Sequence, residues 1–391
     1  MSMNKSNSRG ALNCTYNEST WRMRVRRATQ SSLLLIVFTA TTMNAFADTL
    51  RIGISAPMTG IQAAAGQDVV AHLQAGIAEL NKRGEFGDHR VELFALDDGY
   101  DVQRTVSNVR QLVTDKHVHL LMNQIGSAHA AAILPIVQTS GVTLFAPLSG
   151  PRSLYAENLR PAVVPLRASY NDEVKQQIRA LTATGVQTVS IVYQDDAFGQ
   201  DVLKAWQDGI AGGTINIAST HALARGSAAV EPLVDAALKS GSGAIVLAVV
   251  STPALAGATL IRKRAGSGVY AVLMSVAANS ELIEAMTKSD ARGAVLFSSV
   301  MPIPTTGSNR LLRNYGELRK KYGLQASFRG LEAYASLLVV AEQVKRMARF
   351  SAPTLGAALA AAPSFTVSDV YFGSRNSRYA EVFAMTRHGL L

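Results

Sequence analysis

Cysteine is nearly missing from this chain: its single residue, Cys14, lies in a polar stretch ahead of the first patterned segment. A product processed downstream of Cys14 has no thiol at all, which excludes disulfide staples, a thiolate nucleophile and a cysteine-ligated metal. It would meet no redox conflict in an oxidising compartment. The apolar run from Leu33 to Phe38 falls far short of the about 20 residues that a bilayer span requires. Also missing are a G-x-G-x-x-G turn, a Walker lysine, a G-x-S-x-G elbow and any Ser/His/Asp set of recognisable spacing, so neither nucleotide binding nor serine hydrolysis is expected. No short-period repeat, low-complexity linker or coiled coil interrupts the chain.

What is present begins with a leader. Arg22, Arg24, Arg26 and Arg27 precede the short apolar run, and Ala45-Phe46-Ala47 closes it with small residues in A-x-A order. This is the pattern of a cleaved export signal, with Met23 as its better start and Asp48 as the expected first mature residue. The residue after the cut is not cysteine, so a freely diffusing periplasmic product is expected rather than a lipid-anchored one. Within residues 1–47, six basic side chains stand against one acidic, so removal lowers the formal net charge from +10 to +5. No lysine and arginine stripe with interleaved aromatics remains, and nucleic acid is not an expected partner. Arg262-Lys263-Arg264 and Arg319-Lys320-Lys321 read instead as helix ends that complement the helix dipole.

The remaining about 340 residues exceed what one core usually serves, so two lobes are expected. Short apolar runs alternate with amphipathic stretches: strands at 50–55, 91–97, 118–123 and 142–145, with helices at 68–82, 102–114 and 128–139 between them. A second series follows, with strands at 188–193, 215–220, 244–250 and 270–274 and helices at 172–184, 199–210, 228–240 and 253–264. Alternation of this kind predicts parallel sheets covered by helices on both faces. The last third, with helices near 309–321 and 331–347 and strands at 370–372 and 380–387, fits as additions to both lobes.

In open sheets of this class, ligands lie beyond the carboxyl ends of the strands. The turns there are small and polar: Ser55 to Gly60, Gln124 to Ser127, Pro147 to Gly150, Tyr193 to Gly199, Val250 to Thr252, and Ser275-Val276. Glycine permits close backbone approach and serine both donates and accepts, which suits a carboxylate or another polar group. Serine and threonine are also ordinary helix caps, so the recurrence of such turns carries more weight than any one of them. His117 and His119 alternate on a predicted strand without further metal ligands at suitable spacing, and Asp97, Asp98 and Asp101 are expected to cap a turn and a helix. No cofactor or metal is expected.

Ile52-Gly53-Ile54-Ser55-Ala56-Pro57-Met58-Thr59-Gly60, Leu96 to Asp101, Pro147-Leu148-Ser149-Gly150, Arg167-Ala168-Ser169-Tyr170, Tyr193 to Gly199 and Leu331-Glu332-Ala333-Tyr334 occur in an order that resembles the type I periplasmic binding proteins of the leucine/isoleucine/valine-binding family. The resemblance implies two Rossmann-like α/β lobes with parallel sheets, joined by a hinge of three crossings. It places residues 48–168 with 299–376 in the first lobe and 169–298 with 377–391 in the second. It further implies a small organic ligand (amino acid, amide or organic acid) held between the lobes, and an ABC permease with cytoplasmic ATPases as partner, with no catalysis. Carried over by position, Ser127, Leu148, Ser149 and Gly150 hold a ligand carboxylate, while Tyr193, Phe198, Ser251 and Tyr334 line the other side. Ser275 stands where the family's amino-acid binders keep an acid for the ligand ammonium, and Ala65 replaces an expected aromatic. An unpaired buried ammonium costs several kcal/mol, so a carboxylate without an amine, or an amide, enters beside the amino acids unless Asp195 or Glu332 supplies the charge. The same clamp could serve a membrane sensor; a periplasmic enzyme is the less favoured reading.

Overall fold

A computed structural model describes residues 48–277, 294–305, 307–362, 364–374, 378–386 and 389–390. The leader read at 1–47 lies outside them. The first sheet is built from β1 (Thr49–Ala56), β2 (Arg90–Asp97), β3 (Leu120–Met122), β4 (Thr143–Phe145) and β5 (Val163–Val164), in the order β2-β1-β3-β4-β5, all parallel. Helices α1 (Ala63–Arg83), α2 (Val102–Thr114) and α3 (Ser127–Ser140) make its crossovers. Leu50, Ile52 and Ile54 of β1 are fully or almost fully buried, as strands covered on both faces must be.

The ends of these helices follow from local chemistry. Asp101 Oδ1 accepts the Arg104 N–H at 2.8 Å and starts α2 where the sequence places it. Gly84, at φ 66°, ends α1 in the left-handed region, behind Lys82 and Arg83 in the last turn. α1 begins five residues ahead of the expected Asp68, because Ala63-Ala64-Ala65 has high helix propensity but no periodic signal. His117 and His119 lie ahead of β3 rather than on it; His117 has φ 48°, and His119 Nδ1 accepts the Arg51 N–H at 3.1 Å.

The second sheet takes β6 (Thr188–Asp195), β7 (Asn216–Ala224), β8 (Ala244–Ala248), β9 (Tyr270–Leu273) and β10 (Val295–Ser299), with α4 (Tyr170–Ala183), α5 (Ala197–Gly209), α6 (Glu231–Lys239) and α7 (Ser251–Ala265). β10 is a wholly buried strand that the sequence pattern, changing at Leu296, does not announce. Beyond it come α8 (Arg310–Tyr322), α9 (Phe328–Val344), α10 (Ala352–Ala361), the hairpin β11 (Ser364–Val367) and β12 (Val370–Ser374), then β13 (Glu381–Thr386) and β14 (Gly389–Leu390). The sheet order is β14-β13-β10-β9-β8-β6-β7; β13 runs antiparallel to β10, and β14 to β13. The two basic triplets do occupy the last turns of α7 and α8.

The chain passes between the sheets after β5, after β10 and after β12. α8 and α9 return to pack on α1: Tyr315 stacks on His72 with ring centroids 5.5 Å apart and donates its hydroxyl proton to, or accepts one from, His72 Nε2 at 3.0 Å. A Cβ on Gly330 would lie 2.5 Å from the His72 ring, so only glycine allows α9 to approach this closely. α9 is thereby buried along nearly its whole length, and its first turn is brought to the boundary between the sheets.

Candidate ligand-binding site

The turns that follow the strands of both sheets converge on a tight cavity of about 30 Å³, far below the about 300–1,000 Å³ of small-molecule pockets, so a ligand enters only if its walls part. Gln62, Tyr100, Gly126, Ser127 and Leu148 reach it from beyond β1, β2, β3 and β4, and Phe198, Val250 and Val276 from beyond β6, β8 and β9. Tyr170, at the start of α4, and Arg329, in the first turn of α9, complete the wall described here. Ligand sites of doubly wound sheets lie at such strand ends.

Two hydroxyls from first-sheet turns and one from α4 form a buried triangle. Ser127 Oγ lies 2.8 Å from Ser149 Oγ, and both lie 3.3 Å from the Tyr170 hydroxyl. Gly126, at φ 93°, precedes Ser127 and offers α3 no side-chain cap, and a Cβ there would stand 2.6 Å from His129 Cδ2. The helix thus opens toward the cavity with its N-terminal amides, a favourable environment for an anion. Leu148 lines the cavity and bridges in parallel to Ile125. Gly150 acts one step back: its carbonyl accepts the Tyr170 N–H at 2.7 Å, and a Cβ would press to 3.0 Å of that nitrogen.

The first turn of α9 brings a charge to the cavity. Arg329 is buried and donates to Ser251 Oγ at 3.0 Å and to the Val276 carbonyl. Burial pulls its guanidinium below the ordinary arginine range. Ser275 stands nearby in sequence, but its hydroxyl and amide are occupied: they donate to Glu173 Oε1 at 2.7 Å and Oε2 at 2.9 Å, and Arg167 also donates to that hydroxyl. Arg167 lies 3.6 Å from Glu173 and 3.7 Å from Glu332. Burial alone would lower Arg167, but Glu332 and then Glu173 hold it above its ordinary value. Burial pushes Glu332 up. Glu173 therefore stands behind Ser275, both acids face Arg167, and neither is part of the cavity wall above. Asp195 is exposed and bonded to Gln200.

Of the remaining expected site residues, Phe198 lines the cavity and meets Tyr170 edge-on at 5.2 Å between centroids. Its helix turns in at Gly199, where a Cβ would fall 2.0 Å from the Gln194 carbonyl oxygen. Tyr193 packs against the second-sheet core and is not in the cavity wall. Tyr334 is buried beside Tyr315 and lines a separate groove with Leu80 and Arg83. It follows Arg329 by five residues, about 140° around a helix, so the two cannot serve the same cavity.

One further pairing joins the two sides. Arg225, beyond β7, stacks over the Tyr100 ring at 4.7 Å, donates to the Tyr100 carbonyl at 3.0 Å and lies 3.5 Å from Asp196. It also donates to His129 Nε2 at 2.8 Å. An arginine has only donors, so Nε2 must be unprotonated and Nδ1 carries the hydrogen toward Thr105 Oγ1, 2.7 Å away. Thr105 in turn donates to Asp98 Oδ2 at 2.9 Å. Burial, then Arg225, depresses the His129 pKa from 6.5 to about 4. Sequence reasoning missed Tyr100, Tyr170, Arg225 and Arg329; only Arg329 left a local signal, a cation in the first turn of an apolar helix, at the wrong end of its dipole.

Comparison with known proteins agrees with the fold. A substrate-binding periplasmic protein from Ralstonia solanacearum superposes with a TM-score of 0.80 at 25% identity, covering 88% of this chain and 99% of that one. A solute-binding protein of an ABC transporter from R. palustris, solved with 4-hydroxybenzoate, gives a TM-score of 0.77 over 88% of this chain and 95% of its own, and at 16% identity speaks for the fold alone. A Leu/Ile/Val-binding protein homolog 2 from Brucella abortus (strain 2308) is 30% identical over 102 residues, 26% of this chain and 27% of that relative's length. No described helix is long and apolar enough to cross a membrane. The family model described as periplasmic binding protein matches residues 49–387, and the chain therefore belongs to the periplasmic binding protein family, with the type I fold of the leucine/isoleucine/valine-binding proteins.

Proposed function

We propose that this protein is the solute receptor of an ABC importer: exported by its leader, it captures a small organic carboxylate between its two lobes and presents it to a permease with cytoplasmic ATPases. The observation that carries this reading is the cavity itself, walled by turns from both sheets and furnished with a buried hydroxyl triangle at the open N-terminus of α3. Ligand would dock first on Ser127 and the neighbouring amides. Closure would then bring Phe198 and Val250 over it, against Arg329 of α9, a population shift that requires tighter binding to the closed form. Amino acids, amides and organic acids all belong to the field of candidates: the Brucella relative is named for amino acids, and the R. palustris protein was solved with an aromatic acid.

A thermal-shift screen tests the reading. Branched-chain amino acids, amides, and aromatic and aliphatic acids are added to the purified protein; a ligand at 100 times its Kd stabilises by about 2.7 kcal/mol and raises the Tm. A shift with at least one carboxylate, recovered chemically unchanged after release, is the expected result. No shift with any carboxylate would remove the reading, and an altered product would point to an enzyme.

A further inference from the structure

Arg329 occupies an energetically poor position unless something compensates it. It is the second residue of α9, where the helix dipole repels a cation. It is also buried, and its hydrogen-bond partners, Ser251 Oγ and the Val276 carbonyl, are neutral. Among the described residues no carboxylate lies within the 4.0 Å of an ion pair with it. Asp68 and Glu332 are the acids whose field reaches it, but Asp68 accepts from Ser327 at 2.5 Å and lies 3.1 Å from His72, while Glu332 faces Arg167. A buried guanidinium with only neutral partners is costly. The cavity it faces has tyrosine, phenylalanine and aliphatic walls, and no acidic side chain among those lining it.

We infer that Arg329 is the ligand's counter-ion, and that this cavity selects small carboxylates without an ammonium group, apolar or aromatic in body, over zwitterionic amino acids. The inference rests on the proposed capture of a carboxylate and names its class. An α-ammonium placed here would meet a guanidinium and no free carboxylate. A carboxylate would instead complete a charge-assisted, fork-like pair with Arg329 while Ser251 and the Val276 carbonyl hold the guanidinium in place.

The test is calorimetric titration of the purified protein with matched pairs: 4-methylpentanoate against leucine, which adds only the ammonium, and benzoate against benzamide, which removes only the charge. The expected result is that at least one acid binds roughly 10–150-fold more tightly than its partner, the span that one charge-assisted hydrogen bond supplies, and that Arg329→Met abolishes the advantage while Arg329→Lys restores part of it. Leucine binding more tightly than 4-methylpentanoate overturns the inference and leaves carboxylate capture standing, since Glu332 or Glu173 would then be reaching the ammonium. Equal acid binding by wild type and Arg329→Met overturns it in the same way. Absence of binding by all four compounds overturns the inference, and the wider screen then decides the carboxylate reading itself. The wild-type pairs need no variant, so a poorly folding substitution does not spoil the test.

Discussion

Two parts of the candidate site are built on different electrostatic plans. One part is neutral: the Ser127 and Ser149 hydroxyls, the Tyr170 hydroxyl of α4 and the α3 amides, with the three hydroxyls within 3.3 Å of one another. The other part is charged: Arg329, from the first turn of α9, lines the cavity, and Arg167, outside the lining, is buried with Glu173 and Glu332 against it. Neutral dipoles cost little to bury and can orient many oxygen-bearing ligands, so docking is the role we propose for the hydroxyl triangle and the α3 amides. Buried charges tolerate only the right complement, so discrimination is the role we propose for Arg329. Arg225, stacked on the cavity residue Tyr100, and His129 tie the two sides together.

If the two parts differ in this way, substitutions should separate stability from affinity. The largest effect is expected from Arg167→Met, which leaves Glu173 and Glu332 buried without the cation 3.6 and 3.7 Å away. A loss of about 3–5 kcal/mol of stability follows, read by urea denaturation without ligand. A loss below about 1 kcal/mol would mean that the charged part is no more demanding than the neutral one.

Next is acid. His129 is neutral in the fold and binds its proton only near pH 4, whereas the unfolded chain binds it near 6.5. Its contribution is present above 6.5, falls as the pH drops between 6.5 and about 4, and is gone below; the shift corresponds to about 3 kcal/mol. Tyr100, Asp98, Asp101, Asp196 and Arg225 surround it, so the control is His129→Gln. Denaturation at pH 7 and pH 4.5 should show a smaller pH difference in this variant than in wild type, and an equal difference would assign the effect to the carboxylates.

Smaller still, Ser127→Ala should weaken ligand binding by about 1–3 kcal/mol, read by calorimetry, because it removes the hydroxyl shared with Ser149 and Tyr170. The smallest effect is expected at Tyr334. Tyr334→Phe should change affinity by less than about 0.5 kcal/mol, since this residue lines the other groove. A larger change would restore the role that family resemblance implies for it.

These residues also show what was readable in advance. Apart from Tyr170, the neutral part was legible because it is made of consecutive residues directly after strands, where small polar turns have a local signature: Ser127, Leu148, Ser149 and Gly150 all stand there. The charged part was not, because its contacts join Arg329 to Ser251 and Glu173 to Ser275, 78 and 102 residues apart. Residue type alone does not report such pairings. The same division holds for the fold. α2 was read to the residue because Asp101 marks its start, whereas β7 runs four residues beyond the expected Thr220, its solvent-exposed alternate residues carrying no apolar signal. Tyr334 lines the separate groove because of its angle on the helix, which spacing along the chain does not report.

The central claim is that both parts grip one small carboxylate at once. The most direct measurement is a crystal structure with the tightest ligand of the screen. The account predicts density inside the cavity, touching Ser127 on one side and Arg329 on the other. Density confined to one part, or seated in the groove beside Tyr334, would contradict it.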